Sequence, residues 1–454
     1  MSGPGGFSFD RASLDILGAA LERLESGFAT LPRAEQGADD AAMRAVLLEA
    51  AQRLTDNYPY FHPFYAGQML KPPHPVARLA YALAMWVNPN NHALDGGRAS
   101  SAMEKEAVAG LARLFGWEAS LGHLCGGGTM ANLEALWVAG QLAPGRTVVA
   151  STQAHYTHGR ISGVLGLPFE TVACDGRGRL DTDALARRLE AGGVGTIVAT
   201  LGTTATGSVD PLPEILELAR GHGVRVHADA AYGGYFGLAD NLDAATRRAF
   251  DRAGDADSIV IDPHKHGLQP YGCGCVLFRD PSVGRLYQHD SPYTYFSSTD
   301  LHLGEISLEC SRAGASAVAL WATMRLLPLE RGGQFARRLA ASRSAALALY
   351  ERLALDPRFL PAFSPELDIV VWAVRAPRAS DCAERARRVF DAAARRGLHL
   401  ALAELPAAFF PLEDAGIARD RDTITCLRSV LMKPEHREWL DRLWQLLDAA
   451  AEAA

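Results

Sequence analysis

The chain lacks several things that a 454-residue protein can have, and each absence removes a class of function. Its seven cysteines, an odd number spread over a long chain, do not suit a disulfide framework, and most are expected to be small buried hydrophobes. Cys273 and Cys275 have no second pair to complete a zinc site, and His155 with His158 lacks the glutamate of a helical zinc-protease motif, so no metal is expected. The net charge of -7 provides no basic field for nucleic acid. No apolar run approaches the length of a membrane span, and residues 1–10 lack the basic-then-apolar order of a secretory signal. A cytoplasmic protein that binds neither membrane nor nucleic acid is therefore expected. What remains is 48% hydrophobic content, enough for two or three globular domains with substantial cores.

Three stretches carry chemistry. In Ser258-Ile259-Val260-Ile261-Asp262-Pro263-His264-Lys265 a β-branched run ends in a turn that presents one lysine. Such a run reads as a buried parallel strand, and the turn after it is where open α/β sheets hold their ligands. Taken alone, Lys265 would read as a surface lysine. Val224-Arg225-Val226-His227-Ala228-Asp229 is a second strand, which ends by placing an aspartate at the same edge, where it needs a cation. Cys125-Gly126-Gly127-Gly128-Thr129 opens into a helical pattern, and close-approaching backbone N–H groups at a helix start favour a phosphate. A phosphate cradle, a buried acid and a lysine at strand ends are what pyridoxal phosphate requires.

With these residues in view, the sequence resembles the group II pyridoxal-phosphate-dependent amino-acid decarboxylases, of fold type I in the aspartate-aminotransferase superfamily. The resemblance runs in order from about residue 60 to about 434. It passes through Gly127-Gly128-Thr129, Gln153-Ala154-His155-Tyr156-Thr157-His158, Leu201-Gly202-Thr203-Thr204, His227-Ala228-Asp229-Ala230-Ala231-Tyr232 and Asp262-Pro263-His264-Lys265. It implies that Lys265 carries the cofactor and that Asp229 partners its ring nitrogen. It implies further that His155 stacks on one ring face, Ala231 lies beneath the other, and Thr204 lies alongside. Gly127, Gly128, Thr129 and His264 would hold the phosphate. His266 departs from the family, where many relatives have a large apolar residue.

Around these motifs, apolar runs at 147–149, 169–173, 196–201, 224–228, 259–261 and 275–278 alternate with helical patterns. That alternation predicts a mainly parallel α/β sheet flanked by helices. One intervening helix has Asp210 as a candidate cap, Pro211 in its first turn and Gly221 with Gly223 at its end. The expected domains are an N-terminal helical segment (1–59), a large cofactor-binding domain (60–325) and a small C-terminal α/β domain (326–454).

The proline- and aromatic-rich stretch 57–75, followed by Asn88-Pro89-Asn90-Asn91-His92, reads as a pocket wall, and His92 is a candidate substrate contact. The stretch 290–300 reads as a loop; by resemblance it carries the tyrosine that protonates the substrate carbon, with Tyr293 the first choice and Tyr295 the second. Arg428 lies amid apolar neighbours and needs an anion, either a substrate carboxylate, as the family uses, or a structural partner. The expected activity is decarboxylation of an L-amino acid, aromatic or acidic rather than basic, to an amine. The alternatives are another lyase or an oxidative aldehyde synthase of the same fold, and a catalytically silent binding relative. The resemblance also implies a homodimer with the active site near the interface.

Overall fold

The apolar runs become strands of a seven-stranded sheet in a computed structural model that describes residues 9–32, 39–288 and 302–454. The strands are β1 Leu121–Cys125, β2 Thr147–Ser151, β3 Phe169–Val172, β4 Val194–Thr200, β5 Arg225–Asp229, β6 Ser258–Ile261 and β7 Gly274–Phe278, in spatial order β1-β7-β6-β5-β4-β2-β3. From β3 to β6 the pairings are parallel, and β7 runs antiparallel to both β6 and β1. β1 and the parallel strands therefore end at one sheet edge. β2, β4, β6 and β7 are buried along their whole length, which is why they read as continuous apolar runs rather than alternating ones.

β1 does not stand out in the sequence, because it carries Gly122 and His123. His123 is tolerated in the core because its Nε2 lies 2.9 Å from Glu134 Oε2 on the following helix. The helix Leu212–His222 ends at Gly223, which adopts the left-handed conformation as expected. Asp210, however, is not its cap. Its two carboxylate oxygens accept the backbone N–H groups of Leu180 and Thr200, each at 2.7 Å, and so tie the end of β4 to a neighbouring turn.

A second, antiparallel sheet holds β8 Phe359–Pro361, β9 Ile369–Val374, β10 Ala401–Pro406 and β11 Thr423–Val430 in the order β10-β11-β9-β8. The helices Gln334–Leu355, Ala379–Arg395 and His436–Glu452 share a hydrophobic core with it. The stretch after residue 60 also makes backbone contacts with this second sheet and its approach. The Ala66 N–H donates to His399 O at 2.9 Å and its carbonyl accepts from Val430 N–H at 2.7 Å, so this aromatic-rich stretch runs along the small sheet. Two N-terminal helices form as expected. Ser13–Ser26 packs on Pro75–Met85, whereas Asp40–Leu54 buries none of its residues. Among the described residues, no helix is long and apolar enough to cross a membrane.

Candidate active site

The shared sheet edge brings distant residues together because each strand hands its chain to a turn there. β1 leads into the glycine run, β2 into the segment with His155, β4 into Gly202 and Thr204, β5 ends on Asp229, and β6 leads to Lys265. A cavity of 310 Å³ sits at this edge, a size suited to a small ligand. Its lining includes all nine residues expected to hold a cofactor: Gly127, Gly128, Thr129, His155, Thr204, Asp229, Ala231, His264 and Lys265. Lys265 is the lining lysine in a chain that has four.

The cradle is built from helix geometry. Gly127 precedes the helix Gly128–Leu142 with no side chain capping it, so the first N–H groups of that helix have no intrahelical partner. Gly127 sits at φ 143°, and a Cβ on Gly128 would come 2.6 Å from Asp262 Oδ2, so side chains at these positions would crowd the turn. His264 stands beside it, its Nδ1 2.8 Å from Cys273 O. Burial, reinforced by the charge of Lys265, lowers the His264 pKa.

Asp229 is 5% exposed, yet it is ionised. Burial opposes its charge, but a hydrogen bond from His158 and the nearby charges of His158 and Lys265 outweigh that penalty and hold the carboxyl well below the usual carboxylate range. His158 Nε2 lies 2.8 Å from Asp229 Oδ2, and the Ala231 N–H donates to Oδ1 at 3.1 Å. His155 Nδ1 lies 2.8 Å from Thr157 Oγ1, and burial lowers its pKa, with the charge of Lys265 adding to the effect and that of Asp229 opposing it. Lys265 Nζ pairs with Asp262 Oδ2 at 3.0 Å. Asp262 Oδ1 and Thr200 Oγ1 are buried in residues of the cavity lining, with no hydrogen-bond partner among the described residues. Unpaired polar atoms, a helix start and an amine in one cavity fit a polar, phosphate-bearing aldehyde such as pyridoxal phosphate.

Several participants escaped the sequence reading. Asp262, three residues before Lys265, had a visible signal in that spacing. Tyr232 lines the cavity, and its hydroxyl donates to Asp368 Oδ1 at 2.5 Å, a partner 136 residues away. The unusual His266 is buried, 3.3 Å from Asp368 Oδ2 and edge-on to Tyr232 and Phe236, so it belongs to the same contact.

Two expected substrate contacts, His92 and Arg428, are not among the residues that line this cavity. His92 is outside the cavity lining, beside Gly304 and Cys310. Arg428 was expected to meet an anion. No carboxylate lies within ion-pairing distance of it among the described residues, and its guanidinium instead donates to the carbonyls of Thr204, Ala205 and Gly67 and to Gln68 Oε1, at 2.6 to 3.3 Å. Tyr293 and Tyr295 fall outside the described residues. No cluster of His, Cys, Asp or Glu among the described residues could hold a metal ion.

Known proteins resemble this chain in sequence and in fold. A family model described as the pyridoxal-dependent decarboxylase conserved domain matches residues 137–375. A probable L-tyrosine/L-aspartate decarboxylase of Methanothermobacter thermautotrophicus is 30% identical over 310 residues, which is 67% of this chain and 82% of that protein. A probable L-aspartate decarboxylase of Halobacterium salinarum is 33% identical over 263 residues, covering 58% of this chain and 70% of its own length. The crystal structure of mouse CSAD superposes with a TM-score of 0.77 at 20% identity, covering 98% of this chain and 100% of that one, and so shares the fold.

Proposed function

Since the chain belongs to the pyridoxal-dependent decarboxylase family and is a pyridoxal-phosphate-dependent amino-acid decarboxylase, we propose that it acts on an aromatic or acidic L-amino acid, with Lys265, Asp229 and His155 as its central residues. The observation that carries the assignment of residues is the convergence of the Lys265 amine, the ionised Asp229 and the open helix start at Gly128 on one cavity. Bound there, pyridoxal phosphate supplies the electron sink that lets the bond to the substrate carboxylate break.

The residues divide the remaining work. Lys265 Nζ is the amine that would hold the cofactor and would give way to the amine of the substrate. The N–H groups at the start of the helix Gly128–Leu142, the Thr129 side chain and His264 hold the phosphate. Asp229 keeps a proton on the ring nitrogen, an effect strengthened because the carboxylate is shielded from water. His155 and Ala231 would lie against the two faces of the bound ring, with Thr204 alongside. Arg428 is assigned to the substrate carboxylate, which would compete there with the carbonyls of Thr204 and Ala205 that it now holds. Proton return to the substrate carbon is assigned to Tyr293, with Tyr295 next, and His92 remains a candidate contact at the substrate end.

The names of the relatives, tyrosine/aspartate and aspartate decarboxylases, support an aromatic or acidic substrate. Exposed Leu14, Ile16, Met43, Val46, Leu47 and Leu48 on the first two helices support a homodimer with the active site near the interface. Seven free thiols support a reducing cytoplasm. The domain division is drawn at about 60 and 325. A panel of L-amino acids with product identification tests the activity: tyrosine or aspartate is expected to yield carbon dioxide and the matching amine. Lysine or ornithine as the best substrate would overturn the substrate class, and ammonia with peroxide would favour the oxidative aldehyde synthase.

A further inference from the structure

His158 acts on the site without lining its cavity. It lies three residues after His155, in the helix Thr157–Leu165, is fully buried, and brings Nε2 to 2.8 Å from Asp229 Oδ2. A carboxylate oxygen only accepts, so Nε2 carries the proton of this bond while Asp229 is ionised. The second ring nitrogen, Nδ1, is buried with no hydrogen-bond partner among the described residues. Packing does not account for such a ring, because an apolar one of similar size would fill the space without leaving a nitrogen unpaired. The bond to Asp229 does.

The other groups that face Asp229 are committed elsewhere. His227 places Nε2 2.7 Å from Asn132 Oδ1 and Nδ1 2.9 Å from Ser258 Oγ, His155 turns Nδ1 to Thr157 Oγ1, and Lys265 pairs with Asp262. With Oδ1 held by the Ala231 N–H and Oδ2 by His158, both oxygens of Asp229 are anchored.

We propose that His158 is a positioning residue, holding Asp229 ionised and fixed in orientation so that the ring nitrogen of the bound cofactor keeps its proton. This rests on the reading of Asp229 as the partner of that nitrogen. A positive charge on the ring makes groups conjugated to it more acidic, so loosening the carboxylate raises the pH at which the absorbance of the bound cofactor changes.

The test uses the full-length enzyme and its His158→Phe, His158→Gln and Asp229→Asn variants. Each is titrated with pyridoxal phosphate, and the absorbance of the bound form is followed across pH. Loss of one charge-assisted hydrogen bond predicts that His158→Phe binds the cofactor about ten- to a hundredfold more weakly. Its absorbance midpoint is expected to rise by about one pH unit. His158→Gln, whose amide can donate to the same oxygen, is expected to recover most of both changes. Weaker binding with an unmoved midpoint in His158→Phe would mean a merely structural role and would overturn the proposal. So would wild-type behaviour of His158→Phe while Asp229→Asn shifts both quantities, an outcome that leaves the reading of Asp229 standing. If Asp229→Asn also changes neither, that reading fails and the proposal with it. Should His158→Phe not fold, His158→Gln decides: a midpoint near wild type supports the proposal, and one displaced as far as that of Asp229→Asn overturns it.

Discussion

Replacing Gly127 with alanine probes the phosphate cradle where the backbone leaves least room. Gly127 has φ 143° and ψ 177°, a region open essentially to glycine alone. Forcing a residue with a Cβ into it costs on the order of 1–3 kcal/mol. The new methyl would also lie 3.1 Å from Cε1 of His264. That ring has little freedom to withdraw, because its Nδ1 lies 2.8 Å from Cys273 O and its centroid lies 4.9 Å from that of the Tyr271 ring. Gly126 is the built-in control, since a Cβ there meets nothing nearer than Glu309 Oε1 at 3.4 Å and its φ is not positive. Gly127→Ala is therefore expected to lose ~1–3 kcal/mol in urea unfolding if the turn holds its shape. If the turn relaxes instead, its N–H groups turn away from the ligand and the cofactor dissociation constant rises by about 5- to 150-fold, the same free energy expressed as affinity. Gly126→Ala should change stability by no more than about 0.5 kcal/mol. The assays are urea titration of the apoenzyme and fluorescence titration with pyridoxal phosphate. A Gly127→Ala enzyme indistinguishable from wild type in both would show that the cradle does not depend on the Gly127 conformation.

Two further predictions concern buried groups away from the ring. Arg428→Met leaves the carbonyls of Thr204, Ala205 and Gly67 without their donor and should lower stability by on the order of 3 kcal/mol, read as a fall in the thermal midpoint with the cofactor absent; an unchanged midpoint would mean that these bonds contribute nothing. Burial, aided by the charge of Lys433, pushes the pKa of His436 down to about 3 from 6.5. Because the folded value is the lower one, the unfolded chain takes up a proton below pH 6.5 that the folded protein refuses, so stability falls as pH drops from about 6.5 towards 3. His436→Gln should remove about 1.4 kcal/mol per pH unit from the slope of stability against pH between 6 and 4, and an unaltered slope in urea titrations would contradict the assignment.

What could be read from the sequence was whatever lay within a few residues along the chain. A β-branched run followed by Asp262-Pro263-His264-Lys265, or a strand that ends on Asp229, shows both its burial and its chemistry locally, and both reached the predicted sheet edge. β1 was hidden because the partner that makes His123 a core residue, Glu134, lies a full helix start away. Asp210 looked like a helix cap because capping is a local pattern, whereas one of its actual partners, the Leu180 N–H, is 30 positions upstream. The same holds for His158, whose pairing with Asp229 spans 71 positions, and for Arg428, whose carbonyl partners carry no side-chain signature at all. The stretch 57–75 was legible as non-helical from its prolines. Its attachment to the small sheet is made by backbone hydrogen bonds, which any sequence can form.

Lys265, and no other amine, is proposed to hold the cofactor. The chain offers a demanding internal comparison, because burial pushes two of its four lysines, Lys71 and Lys433, down to about 7, so that both are reactive near neutral pH. Reducing the cofactor-loaded enzyme with borohydride and mapping its peptides by mass spectrometry would locate the pyridoxyl group directly. One modified peptide, containing Lys265, is expected, and it should disappear in Lys265→Ala. A pyridoxyl group on Lys71 or Lys433 in the wild-type enzyme, with Lys265 unmodified, would contradict it.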